Sequence, residues 1–256
     1  MKIRTQEISS PLLKEKKIQL FIKRIDEIHE HISGNKWYKL KYNLINAKKL
    51  GVKSILTFGG AYSNHILATA YFSRKNGFSS IGIIRGEEHF PLNPTIKFAM
   101  NHGMKIVYVS RGDYRLKHTL SFLESLKLKF GDFYLIPEGG TNELAIRGAE
   151  EILDKNDIQE YVCCAVGTGG TLAGIINSAN DNQSVIGFSV IKGFKALEKD
   201  VLSCVNRDNY KIITDYCCGG YAKLTNNLID FVNNFYKNQN ISLDVVYTGK
   251  MMLGIM

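Results

Sequence analysis

The residues best placed to do chemistry in this sequence are a lysine set just behind a glycine and a glycine-rich turn. Ser33-Gly34-Asn35-Lys36 puts an amine at the start of a helical segment rather than on an exposed helix face. A lysine near a helix N-terminus and other cations gives up its proton more readily, and the neutral amine is the form that builds Schiff bases. Gly167-Thr168-Gly169-Gly170-Thr171 can wrap an anion in backbone N–H groups, with Thr168 and Thr171 adding hydroxyl donors. The helix that follows contributes its positive end, worth about 0.3–1 kcal/mol and ~2 kcal/mol when partly buried. The bland alternatives are a ligand-free βα turn and a solvated surface lysine.

The turn is not a nucleotide fingerprint. A dinucleotide site needs a third glycine where Leu172 stands and a carboxylate about 20 positions on; Asp181 is too near and Gly187 to Val190 carries none. A P-loop needs Gly-Lys-Ser/Thr, but Gly249-Lys250 is followed by Met251 and Asp244 occupies the earlier glycine position. What remains is a cradle for a single phosphate.

These residues need a scaffold, and the sequence describes one. Short β-branched runs alternate with segments of helical period, the pattern of a parallel α/β sheet. Candidate strands are Ser54–Phe58, Ile81–Arg85, Lys105–Val109, Phe133–Ile136, Tyr161–Val166, Val185–Val190 and Lys211–Asp215. Candidate helices run near Lys36–Leu50, Asn64–Asn76, Asn93–His102, Tyr114–Phe130, Asn142–Leu153 and Leu172–Asn180. Two strands end in glycine pairs that feed a helix, at Phe58-Gly59-Gly60-Ala61-Tyr62-Ser63-Asn64 and at Val166–Gly174. Ligands of open α/β sheets bind at the carboxyl ends of strands, so both turns point at a site. Ser63 and Asn64 are also favoured helix caps. With no repeat and no linker in view, a second domain is expected as an insertion in the first.

Composition narrows the class. The 256 residues carry 33 basic and 24 acidic side chains, a formal charge of +9, with 45% hydrophobic and 22% charged residues. No basic segment is interleaved with aromatics and no zinc-finger spacing is present, so the charge reads as a lysine-rich surface and no nucleic-acid partner is expected. Five cysteines, in two adjacent pairs and one alone, form no metal hairpin and no disulfide framework, which fits packing residues in a reducing cytoplasm. No apolar run reaches the length of about 18 residues that spans a bilayer, so no membrane partner is expected either. No metal ligand set is read.

The motifs in order carry a resemblance. Ile22-Lys23-Arg24-Ile25-Asp26 with Ser33-Gly34-Asn35-Lys36-Trp37-Tyr38-Lys39-Leu40-Lys41-Tyr42 is similar to the opening of the D-cysteine desulfhydrase and 1-aminocyclopropane-1-carboxylate (ACC) deaminase family. These are pyridoxal-phosphate enzymes of the tryptophan-synthase-β fold group. Gly59–His65, Pro137-Glu138-Gly139-Gly140-Thr141-Asn142, the Gly167–Gly174 turn, Gly219-Gly220-Tyr221 and Val246-Tyr247-Thr248-Gly249-Lys250 follow in family order and cover almost the whole chain.

The resemblance implies pyridoxal 5'-phosphate fold type II, with two three-layer α/β/α domains and mainly parallel sheets. Residues 1–45 and 138–256 would form the larger cofactor-binding domain and 46–137 a smaller inserted one. It makes Lys36 the Schiff-base lysine and the base at the substrate α-carbon. Asn64 would bond the cofactor's phenolic oxygen and Ser63 the substrate carboxylate. Gly167, Thr168, Gly169, Gly170 and Thr171 would hold the phosphate, and Tyr221 and Tyr247 would face a small amino-acid substrate. Lys39 matches a further lysine near the site. A cytoplasmic homodimer is implied.

The residue after the second tyrosine separates two reactions in this family. The ACC deaminase pattern has a carboxylate there, which keeps the pyridine nitrogen protonated. Thr248 is a neutral hydroxyl and a weaker charge partner. That favours β-elimination from a D-amino acid such as D-cysteine, giving pyruvate, ammonia and sulfide, over ring opening of ACC to 2-oxobutanoate and ammonia. Departures are Tyr62 and His65, where better-known members carry glutamine, and the absence of a proline at Asp244-Val245-Val246. The family usually continues to a final strand ending His-Thr-Gly-Gly, whereas this sequence ends at Met256. The remaining alternative is therefore an impaired cofactor-binding protein with an exposed sheet edge.

Overall fold

The computed structural model describes residues 3–30, 32, 34–193, 203–205 and 207–256; Ser33 of the lysine motif lies outside the described residues. The chain divides into two compact units, one made of Met1–Ile28 with Ala149–Met256 and the other of His29–Gly148. The 46–137 segment lies inside the second unit, which extends past it at both ends and takes in Lys36.

The first unit opens with an antiparallel pair, β1 (Thr5–Ile8) and β2 (Leu20–Lys23), joined through α1 (Pro11–Glu15). Ser10 caps α1 by accepting from Leu13 N, and Pro11 stands at the first helical position, where a missing N–H costs nothing. The Lys23 ammonium reaches Asp154 at 2.8 Å and also meets Asp157, so the first strands are tied to the later part of the same unit.

The second unit is built on α2 (Asn35–Lys49), β3 (Ser54–Gly59), α3 (Asn64–Lys75), β4 (Ser79–Arg85), α4 (Pro94–Asn101), β5 (Met104–Val109), α5 (Arg111–Arg115), α6 (Leu120–Phe130), β6 (Tyr134–Ile136) and α7 (Glu143–Ala149). Its four strands run parallel in the order β5-β4-β3-β6. Strand side chains alternate between faces. Ile55 accordingly packs with Leu40, Leu44 and Ala47 of α2 and Ala68 and Tyr71 of α3. Leu56 and Phe58 turn the other way, against Tyr114 of α5 and Leu126 of α6. Helices on both faces make this an α/β/α sandwich, as expected.

The rest of the first unit holds β7 (Tyr161–Val166), α8 (Gly170–Ser178), β8 (Ser184–Ser189), β9 (Tyr210–Ile213), α9 (Asn226–Gln239) and α10 (Thr248–Ile255). The strands are parallel in the order β7-β8-β9. Cys164 and Val166 pack with Leu172, Ile175 and Ile176 of α8. A separate core joins Ile8 and Leu13 to Leu228, Val232 and Phe235 of α9 and Met252 of α10. No helix among the described residues is long and apolar enough to cross a membrane.

The seven expected strands stand within two residues of the observed ones. The single helix expected over Tyr114–Phe130 is instead α5 and α6. Apolar residues continue at helical spacing across the break, but Thr119 adopts an extended conformation and its hydroxyl donates to Leu116 O at 2.8 Å, ending one helix before the next begins. The helix expected over Asn142–Leu153 stops at Ala149 and tightens into a 3-10 turn over Glu150–Ile152.

Helix α7 approaches α2 closely: a Cβ on Gly148 would lie 2.1 Å from Tyr38 O and 3.5 Å from Lys39 N. The backbone cannot yield there without moving the helix that carries Lys36 and Lys39. Gly148→Ala should destabilise the protein by about 1–3 kcal/mol, the usual range for overpacking. Gly112→Ala, whose Cβ would meet only Ser110 Oγ at 3.5 Å, should change little. Denaturant unfolding of the two variants checks this contrast.

Candidate active site

The strand order of the second unit reverses at β3. From β3 the chain crosses to β4 and β5 on one side and later returns to β6 on the other. Such a switch point opens a crevice at the carboxyl ends of the two strands. The segment leaving β3 is Gly60–Ser63 and the segment leaving β6 is Pro137–Thr141, so two of the sequence motifs meet there. Gly139 and Gly140 both take positive φ, +67° and +69°, turning the chain back sharply after Ile136.

Helix α2 presents two lysines to that turn. Gly34, with φ +70°, precedes its first residue. Lys36 is half-buried and its Nζ donates to Gly139 O at 3.1 Å. One turn on, Lys39 is fully buried and its Nζ donates to Thr141 Oγ1 at 3.1 Å. Asn43, the next residue on this face, exchanges side-chain amide bonds with Asn142 at 3.1 and 2.8 Å, and Asn142 Oδ1 also accepts from Ala145 N. The face is thus pinned to the turn at three successive positions. Burial lowers the Lys36 amine to about 8. Lys39 is pushed well below the ordinary lysine range, first by burial and then by the charge of Lys36. A depressed Lys36 was expected from the helix N-terminus and neighbouring cations; burial is the cause.

His65 completes the crevice. It is buried in α3, with Nε2 2.8 Å from Thr57 Oγ1. The Thr57 hydroxyl donates to Ile136 O at 2.8 Å, so its oxygen is left to accept from Nε2–H. That assignment puts the imidazole proton on Nε2 and leaves Nδ1 as an acceptor, buried and with no hydrogen-bond partner among the described residues. Burial, then Lys36 and Lys39, hold its pKa well below the usual histidine value. The ring edge lies against Gly140, where a Cβ would come within 3.0 Å of Cε1. Sequence reading placed His65 at the end of one family motif, as a departure, and Gly139 inside another, with no role given to either; Thr57 carried no functional signal.

Ser63 is the N-cap of α3, its side chain accepting from Ile66 N at 3.4 Å, and Asn64 is the exposed first residue of the helix. A cap accepts through oxygen, so the Ser63 hydroxyl proton stays available to an acceptor such as a carboxylate. The close approach of α3 to β3 requires Gly59, whose Cβ would lie 2.6 Å from Ile66 Cγ1.

The other predicted residues gather in the first unit. Gly169 takes φ +82° as the N-cap of α8, and Gly170 opens the helix, so backbone N–H groups of the Gly167–Thr171 turn face out at a helix N-terminus. A Cβ on Gly167 would lie 3.1 Å from Cε1 of Tyr247, which brings that ring against the turn. The Tyr221 and Tyr247 rings stand edge to face with centroids 6.1 Å apart. Three sequence motifs more than 70 residues apart at the extremes therefore share one locality. Asp244 fixes the last of them: its Oδ1 accepts from Val246 N at 2.7 Å and Tyr247 N at 2.9 Å, while Thr248 Oγ1 accepts from Asp244 N at 2.9 Å. The carboxylate does here what a rigid proline would do in its place. On β7, burial pushes the Cys163 thiol to about 11 and the Cys164 thiol to about 12, consistent with packing roles.

Each unit by itself carries a donor set of a kind that pyridoxal 5'-phosphate uses: in one, an amine whose proton burial loosens; in the other, an anion cradle at a helix N-terminus.

No family model matches the sequence. Individual proteins do. A putative 1-aminocyclopropane-1-carboxylate deaminase of Thermotoga maritima is 32% identical over 259 residues, covering 92% of this chain and 82% of the relative. The bifunctional D-cysteine desulfhydrase/1-aminocyclopropane-1-carboxylate deaminase of Arabidopsis thaliana, a mitochondrial protein, is 28% identical and covers 93% of this chain and 66% of its own. The crystal structure of an ACC deaminase homologue superposes with a TM-score of 0.83 at 25% identity, over 100% of this chain and 83% of that one. The lysine crevice, the glycine cradle and these relatives agree, and the chain belongs to the ACC deaminase/D-cysteine desulfhydrase family of pyridoxal-phosphate enzymes.

Proposed function

We propose that this enzyme converts D-cysteine and water to pyruvate, ammonia and hydrogen sulfide, acting as a cytoplasmic homodimer. Lys36 would hold the cofactor through its amine and would move the proton at the substrate α-carbon. Ser63 donates to the substrate carboxylate, Asn64 bonds the cofactor's phenolic oxygen, and Gly167 to Thr171 take its phosphate. Tyr221 and Tyr247 face the substrate as acid–base groups or walls. When bound, the cofactor supplies an electron sink for the electron pair released at the α-carbon.

The observation that carries the choice of substrate is Thr248. Its oxygen accepts from Asp244 N–H, and as a neutral hydroxyl it offers no carboxylate partner to a pyridinium. A weakly charged sink suffices when a thiolate can leave from the β-carbon, whereas opening a cyclopropane ring asks for more. A second reading, ACC deaminase activity, is favoured by the names of the relatives.

Purified protein incubated with pyridoxal phosphate and freed of excess should keep a visible absorbance band, and Lys36→Ala should lose it. D-Cysteine should then yield pyruvate, with ACC inert. ACC turnover without D-cysteine turnover would sink the proposal in favour of the second reading. A band with turnover of neither would leave a cofactor-binding protein without this chemistry.

Lys36 also sets a pH dependence. Its folded pKa of about 8 lies below the ordinary lysine value of 10.5, so the folded chain disfavours the charged form. Between those values the unfolded chain binds more protons, and stability therefore rises with pH. Lys36→Met should raise the unfolding midpoint of the apoprotein most at pH 7, with the advantage shrinking between pH 8 and 10.5. Thermal melts of both proteins across that range measure it; an advantage independent of pH would contradict it.

A further inference from the structure

Lys250 lies in the first turn of α10, three residues after Tyr247, and is buried to 1% exposure. Its Nζ donates to Cys217 O at 2.9 Å and to Gly220 O at 2.6 Å. It makes no ion pair within 4 Å among the described residues. A cation in the first turn also faces the positive end of its own helix, which is unfavourable. Burial lowers its pKa, against smaller opposing contributions from Cys218, Cys217 and Asp244. A methionine would fill the same volume without any of these costs, so stability alone does not account for a lysine here.

Its two acceptors explain it better. Cys217 and Gly220 are the two ends of a tight turn, closed by Gly220 N donating to Cys217 O at 2.9 Å. Backbone conformation is unusual throughout: Cys218, Gly219, Gly220 and Ala222 take φ of +50°, +86°, +121° and +54°. Two of these are not glycine, and such residues persist only when the surroundings hold them. Tyr221 stands inside this run, and its ring meets Tyr247 edge to face. One ammonium thus clamps the turn that carries one tyrosine to the helix that carries the other.

We infer that Lys250 is a positioning residue, which fixes Tyr221 against Tyr247 by holding the carbonyls of the Cys217–Gly220 turn. Its bearing on catalysis rests on the reading that those tyrosines face the substrate. Lys250→Met removes charge and donors, whereas Lys250→Gln removes the charge but keeps two N–H groups. In the apoprotein, amide hydrogen exchange over 217–222 should quicken in Lys250→Met and less so in Lys250→Gln. In the cofactor-loaded enzyme, Lys250→Met should keep the visible band and lower kcat by roughly tenfold or more with little change in KM. Adding Tyr221→Phe should cost much less in Lys250→Met than in the wild type, because the two act as a unit. If Lys250→Met does not fold, Lys250→Gln with and without Tyr221→Phe carries the same comparison. Unchanged exchange and unchanged kcat, or fully additive effects, would overturn the inference. Wild-type turnover in Tyr221→Phe and Tyr247→Phe would overturn the reading of the tyrosines instead, with the exchange data still reporting whether Lys250 holds the turn.

Discussion

Strand β3 sits between β4 and β6, and that placement determines where an amine can be hidden. The chain leaves β3 for one side of the sheet and comes back on the other, so the segments following β3 and β6 part and leave room between them. Backbone at such a place must be turned abruptly, which Gly139 and Gly140 do, and the turn exposes a carbonyl toward the crevice. Helix α2 supplies what the carbonyl and hydroxyl can accept. Lys36, Lys39 and Asn43 follow one another up a single face and meet Gly139, Thr141 and Asn142 in the same order. The register between a helix and a five-residue turn is thereby fixed by polar bonds, while the apolar face of α2 rests on Ile55 and α3.

The price of that arrangement falls on protonation. Three basic groups, Lys36, Lys39 and His65, occupy one poorly hydrated space with no carboxylate bonded to any of them among the described residues. Water that would have stabilised their charges is gone, and each charge raises the cost of the next. His65 is held neutral, the Lys39 amine is pushed well below the ordinary lysine range, and Lys36, at about 8, lies near the point where it can take either form. An amine in that intermediate position can act either as a nucleophile or as a proton carrier. His65 adds rigidity because Thr57, itself bound to Ile136 O, dictates which ring nitrogen carries the proton.

How much of this could be seen in the sequence varies with the kind of interaction. Strands were legible because runs such as Ser54–Gly59 are β-branched or apolar and bounded by glycine. The helix entries at Gly34-Asn35-Lys36 and at Gly167–Thr171 were legible because glycine precedes a helical segment in each and both match motifs of the family. The break between α5 and α6 was not, since the apolar spacing runs through it and only the backbone conformation of Thr119 reveals it. Helix α9 was overlooked although Leu228, Val232 and Phe235 repeat at helical spacing, because its other positions are mostly polar. The bonds of Thr57, Gly139 and Lys250 leave no trace in residue type: each depends on which carbonyl or ring a fold brings near. Asp244 is instructive, since the segment without a proline was read only as a departure, and its carboxylate accepts from Val246 N and Tyr247 N.

Lys36 and Lys250 show why a buried lysine cannot be assigned a role from burial alone. Both sit in the first turn of a helix, and both donate to main-chain carbonyls of a glycine-containing turn. Lys36 has one such acceptor and a second lysine one turn away, so among the described residues its charge is met by a single bond. Lys250 has two acceptors at the ends of one strained turn, and the groups that oppose its desolvation, Cys218, Cys217 and Asp244, are all of a kind that favours the cation. The first environment loosens the proton of an amine; the second satisfies an ammonium with two carbonyls. The difference lies in the neighbours each fold segment delivers: one carbonyl and a second basic group for Lys36, two carbonyls of a single turn for Lys250.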